Sequence, residues 1–150
     1  MKDIDRGLRG ILIEFSELSD TAVEVGLHQD AGSEGGTSLA QIAAWNEYGT
    51  KRIPPRPAFR IAADTNQNKW GSTAETLLRR VAMGRMGAGQ VVDIIGNMAE
   101  GDVKAVFGDR SRLAPNAPST IRRKKSDAPL IDTGRLRASI KFRVKRGWKR

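Results

Sequence analysis

Asp132 stands in the run PLIDTG, residues 129–134, where an acid behind apolar residues and before Thr-Gly could serve hydrolysis. That chemistry needs two carboxylates sharing one proton, so a single copy of the run would require a symmetric dimer. The simpler expectation is that Asp132 caps a short helix over DTGRLRAS, accepting free backbone N–H groups of its first turn. GRMGAGQ, residues 84–90, has the glycines of a phosphate loop. It lacks the Lys-Ser/Thr pair and follows a helical pattern rather than a strand, so it reads as a break between helices. His28 is the only histidine and there is no cysteine. Disulfides, zinc–thiolate sites and cysteine catalysis are thereby excluded, and a metal site would lack clustered ligands. No G-x-S-x-G elbow or Ser-x-x-Lys pair occurs. The expectation is a protein without catalysis and without a cofactor.

Basic residues are the other source of chemistry. Residues 109–150 hold 14 Lys/Arg against three Asp, whereas residues 1–108 hold 12 against 14 acids. The cationic character therefore belongs to the last third, which should seek a polyanion or an acidic protein face. Arg122, Arg123, Lys124 and Lys125 form one cluster. Lys141, Arg143 and Lys145 form a second, alternating with Ile140, Phe142 and Val144 on a strand pattern. Such charges suffice for phosphate binding, which makes a nucleic-acid-binding protein the alternative reading. Aromatic residues are only 5% of the chain, and no ring is interleaved with the basic runs. A third cationic stretch, YGTKRIPPRPAFR at 48–60, carries three prolines. Proline fixes φ, donates no hydrogen bond and holds the preceding residue extended, so this stretch should be a stiff arm.

The elements that must position these groups follow from periodicity. Apolar residues from Ile4 to Leu18 predict an amphipathic helix over 4–19. Val23, Val25 and Leu27 alternate as a strand. Ser38 should cap a helix that ends at Gly49. Further helices are expected from Ala58 through Met83 and over 90–107, with a short turn at 119–124. The strands near residues 25 and 142 should pair antiparallel beneath helices, with a further strand somewhere in 30–37 or 128–132. The expected class is α+β: a small antiparallel sheet against two or three helices, with an extended proline-rich arm and a long basic loop. A single domain over 1–150 is expected, with 30–37 and 108–128 as candidate mobile loops. The periodic, partly acidic N-terminal pattern is unlike a secretory signal, and no apolar run reaches about 18 residues. A soluble protein without membrane contact is the expectation.

Two stretches together resemble a known family. They are LAQIAAWNEYGTKRIPPRPAFRIA, residues 39–62, and LAPNAPSTIRRKKSDAPLIDTGRLRASI, residues 113–140, about a third of the chain. Both resemble the neck and tail-completion proteins of Mu-like and other long-tailed bacteriophages, also called virion morphogenesis proteins. The resemblance implies a structural role at the junction of the DNA-filled head and the tail, in the virion and, during assembly, in the bacterial cytoplasm. It implies a homo-oligomeric ring, expected to be hexameric, joined to tail-tube, tail-terminator or head-closure proteins. On that reading Pro54, Pro55 and Pro57 stiffen an arm handed to a neighbour, which reduces the entropy lost on docking. Arg52, Arg56 and Arg60 would pair with carboxylates across the interface. The clusters at 122–125 and 141–145 would face an acidic ring or the packaged DNA, the acidic protein being preferred.

Overall fold

Most of the helical patterns in the sequence become helices, and the departures fall where chain-distant partners intervene. The structure, a computed structural model, describes residues 7–147. In chain order the elements are α1 (Leu8–Ser19), β1 (Thr21–Gly26), a 3-10 turn (Gln29–Ala31), β2 (Ser33–Glu34), β3 (Thr37–Ser38), α2 (Leu39–Tyr48), α3 (Ala58–Ala82), α4 (Ala88–Val106), α5 (Pro118–Lys124), α6 (Arg135–Ala138) and β4 (Lys141–Arg146). The class is α+β, and β1 pairs antiparallel with β4 as the alternation predicts. Residues 4–6 of the expected first helix lie outside the described residues.

The chain divides into two compact units. The first draws on residues up to Glu24, then Gln67–Ala99 and the chain from Phe142. Leu77, Val81 and Val91 form its core, with Leu18, Met86 and Ile95 packed against them. Helix α1 turns Ile11, Glu14 and Leu18 inward, one side of a 3.6-residue period. Leu8, Leu12 and Ile13 are left exposed. The Glu14 carboxylate accepts the Ala88 N–H at the first residue of α4, and the Gln90 side chain accepts the Gly87 N–H at 3.1 Å. These satisfy donors that a helix start leaves without partners and place a negative charge at the positive end of the helix dipole. On β4, Phe142 lies directly over Gly96 of α4. A Cβ at Gly96 would fall 2.3 Å from the ring, so only glycine admits this approach.

The second unit comprises Val25–Asn66 and Glu100–Lys141. Its core gathers Leu39, Ala58, Ala62, Val103, Val106, Phe107, Leu113, Leu136 and Ile140. Phe59 and Phe107 meet edge to face with centroids 5.8 Å apart. His28 Nε2 lies 3.1 Å from the Lys141 carbonyl, which can only accept, so that nitrogen carries the proton. The expected extra strand does lie within 30–37, but as a separate hairpin. Ser33 pairs with Ser38 and Glu34 with Thr37, leaving Gly35-Gly36 as a two-residue loop. Both glycines have positive φ, 57° and 79°, as a tight hairpin turn demands.

One expectation is corrected here. The proline stretch is not an arm reaching outward but a connector folded back between α2 and α3. In the basic segment the short turn expected at 119–124 is helix α5, Pro118–Lys124, and the irregular chain around it is anchored by Leu113, which is buried, and Pro129, which is fully buried. Proline at the first turn of α5 costs no hydrogen bond, since that N–H would have no helical partner.

Candidate functional site

The connector between α2 and α3 begins at Gly49, with φ 76° and ψ 174°, a conformation essentially confined to glycine. A Cβ there would lie 3.0 Å from the Ile53 carbonyl and the Pro55 nitrogen. Thr50 then organises a turn. Its N–H donates to the Ile53 carbonyl at 2.9 Å, and its hydroxyl accepts the Arg52 and Ile53 N–H groups. The prolines have no N–H to offer, so side chains and the few remaining amides must hold the chain. Glu47 accepts the N–H groups of Phe59 and Arg60 at 3.1 and 3.0 Å, capping α3 from the preceding helix. The Arg56 N–H donates to the Asn46 carbonyl at 2.6 Å.

Arg56 turns inward and is 7% exposed. Its Nε donates to the Ala114 carbonyl at 2.7 Å and its Nη2 to the Pro115 carbonyl at 2.8 Å. The planar guanidinium fork suits two adjacent acceptors. The expectation that Arg56 reaches a partner's carboxylate is therefore corrected: it staples two parts of its own chain. Burial pushes its pKa below the ordinary guanidinium value.

Beyond Pro115 the chain closes on itself. Asn116 Nδ2 donates to the Asp127 and Ala128 carbonyls, both at 3.2 Å, and Lys124 Nζ to the Ala128 carbonyl at 3.1 Å. Burial lowers the Lys124 pKa most. Asp132 opposes that shift, and the positive charges of Arg56 and Arg123 add to it. Leu130 follows with φ 60°, the left-handed region that a branched side chain enters only at a cost. Asp132 does not cap α6, another correction. Gly134 occupies the cap position without a side-chain bond, and the Thr133 hydroxyl accepts the Arg135 N–H at 3.3 Å. The same hydroxyl donates to Glu34 Oε1 at 2.7 Å.

These pieces enclose an open cleft of about 820 Å³, entirely within the second unit. Arg52, Arg56, Arg123 and Lys124 line it as cations, Glu34 and Asp132 as anions. Ile42, Ile53, Pro54 and Leu130 supply apolar wall. Among the described residues, no carboxylate forms an ion pair with any of the four cations. The cleft thus gathers Arg52, Pro54, Arg56, Arg123, Lys124 and Asp132 from the sequence-predicted residues. Pro55, Pro57, Arg60, Arg122 and Lys125 are not in its lining; of these, Pro55, Arg60, Arg122 and Lys125 are exposed.

The strand cluster is elsewhere and partly engaged. Lys145 pairs with Glu24 at 2.6 Å in the first unit, Lys141 lies 3.6 Å from Glu100 in the second, and Arg143 also has a partner. Lys141 and Lys145 thus meet acids of their own chain while their side chains stay more than half exposed. Sequence reasoning missed Glu34, Asn46, Asn116 and Thr133. Only the Gly-Gly beside Glu34 offered a signal, that of a turn.

Among the described residues, no cluster of three His, Cys, Asp or Glu side chains could hold a metal ion. No described helix is long and apolar enough to cross a membrane. No protein-family model, curated protein or solved structure matches the chain.

Proposed function

We propose that this is a structural virion-assembly protein of a tailed phage, acting at the head–tail junction as a neck or tail-completion subunit. It works through ring assembly and protein contacts, without catalysis. The observation that supports this reading is the meeting of the two stretches that resemble the family. Residues 39–62 and 113–140 are far apart in the chain, yet Arg56 of one is bonded to Ala114 and Pro115 of the other. Together they build one charged cleft in one unit. A motif pair that converges on a shared surface suits a protein whose task is to present that surface to a neighbour.

The nucleic-acid reading draws on the net excess of cations in the last third. It is weakened by Lys141 and Lys145, whose acidic partners on the same chain would compete with phosphate. Inactivating the gene in a phage that encodes the protein tests the proposal. The expected result is filled heads and separate tails under the electron microscope, with light scattering of the purified protein or its complexes showing a discrete ring. Normal infectious particles without the protein would sink the assembly role. Strong duplex binding that weakens log-linearly with salt would favour the alternative.

A further inference from the structure

We propose that the cleft of the second unit binds a short acidic peptide, an extended segment of a partner protein. Its carboxylates would meet Arg52, Arg123 and Lys124, and its apolar side chains would rest on Ile42, Ile53 and Leu130. Buried and half-buried cations are normally matched by an acid, because removing charge from water is costly. Here Arg56 is buried and Lys124 half-buried, and neither has an ion-pair partner among the described residues. Their bonds go to carbonyls, which satisfy donors; Asp132 offsets only part of the cost of charging Lys124, and burial alone acts on Arg56. Arg52 and Arg123 are exposed at the same cleft. An anionic ligand would supply the missing charge.

The lining selects a peptide over a nucleic acid. Glu34 and Asp132 would repel the evenly spaced phosphates of a strand. They can accept the backbone N–H groups of a peptide, and a phosphodiester backbone offers none. No aromatic ring lines the cleft to stack a base. The volume falls within the range of about 300–1,000 Å³ typical of ligand clefts. Leu130, held at φ 60° in the wall, is the kind of conformational cost that persists where a surface is shaped for use.

The inference rests on the head–tail reading only for where the partner is found, so the two can fail separately. The isolated full chain is titrated with a fluorescent acetylated peptide of sequence Leu-Asp-Glu-Leu-Asp at physiological ionic strength, followed by anisotropy. Its Asn/Gln analogue and a single-stranded oligonucleotide are run beside it. The acidic peptide should bind and the analogue should not. The double variant Arg52→Glu with Arg123→Glu should lose about tenfold or more in affinity. The charge-matched variant Arg122→Glu with Lys125→Glu, outside the cleft, should change affinity by less than about threefold. Circular dichroism checks that both remain folded. Absence of peptide binding, equal loss in both variants, or displacement of the peptide by the oligonucleotide overturns the cleft assignment. Peptide binding alongside normal particle assembly by phage carrying the cleft variant supports the cleft and counts against the assembly role.

Discussion

The two units are held by different means. The first is helical packing around Leu77, Val81 and Val91, with α1 laid along one side. The second also has an apolar core, but its irregular segments are tied by side chains that reach backbone atoms: Arg56, Glu47, Asn116 and Lys124. The difference teaches where polar staples become necessary. Regular helices satisfy their own interior amides, so the first unit needs polar partners at helix ends, as Glu14 and Gln90 provide at α4. A proline-rich connector and a loop-rich return cannot satisfy theirs, and unsatisfied buried groups would cost more than the bonds contribute.

The strongest way to break this contrast is at Arg56. Replacing it with Ala removes two charge-assisted bonds and leaves the Ala114 and Pro115 carbonyls without that partner. The expected loss is about 3 kcal/mol, lowering the melting temperature by roughly 8 °C. Arg56→Lys should restore little, since one ammonium lacks the planar fork that reaches both acceptors. Thermal unfolding of the two variants is the measurement. An Arg56→Ala protein as stable as wild type would mean that the second unit relies on packing as fully as the first.

A smaller effect belongs to the first unit. Glu14→Gln keeps the shape but removes the charge at the start of α4, with an expected loss of about 1 kcal/mol. Urea unfolding checks it. A loss matching that of Arg56→Ala would show that polar staples matter equally in both units.

The smallest expected effect concerns Asp109, just after α4. Its carboxylate accepts from the Ser111 hydroxyl first, then from the Arg112 side chain and the Ser111 N–H, which hold its pKa well below the usual carboxylate range. The folded pKa is lower than the unfolded one, so the contribution is present above the ordinary carboxylate range. It fades as pH falls through the folded value. Asp109→Asn should flatten that part of the acid-stability curve. An NMR titration of wild type in which Asp109 ionises like an exposed Asp would refute the account.

What was legible in the sequence is what depends on neighbours along the chain. The apolar period placed α1, α3 and α4, the alternation paired β1 with β4, and Ser38 caps α2 by accepting the Gln41 N–H at 3.2 Å. The prolines also marked the connector correctly as a place where no helix could continue. Alternation was less informative along β4, where Phe142 is half-buried but Val144 is 41% exposed. Side-chain direction on a strand does not say how far its apolar face is covered.

The sequence by itself determined the helices, the strand pairing, the absence of cysteine chemistry and the concentration of positive charge in the last third. Each follows from local periodicity, capping or composition. Only the tertiary structure decided which way Arg56 points, that Thr133 rather than Asp132 meets the Arg135 N–H, and that the same Thr133 hydroxyl reaches Glu34. The reason is distance along the chain. Arg56 and its acceptor at Ala114 are 58 positions apart, and Glu34 and Thr133 are 99. No local rule links residues so separated, and packing of the intervening elements is what brings them within hydrogen-bond reach.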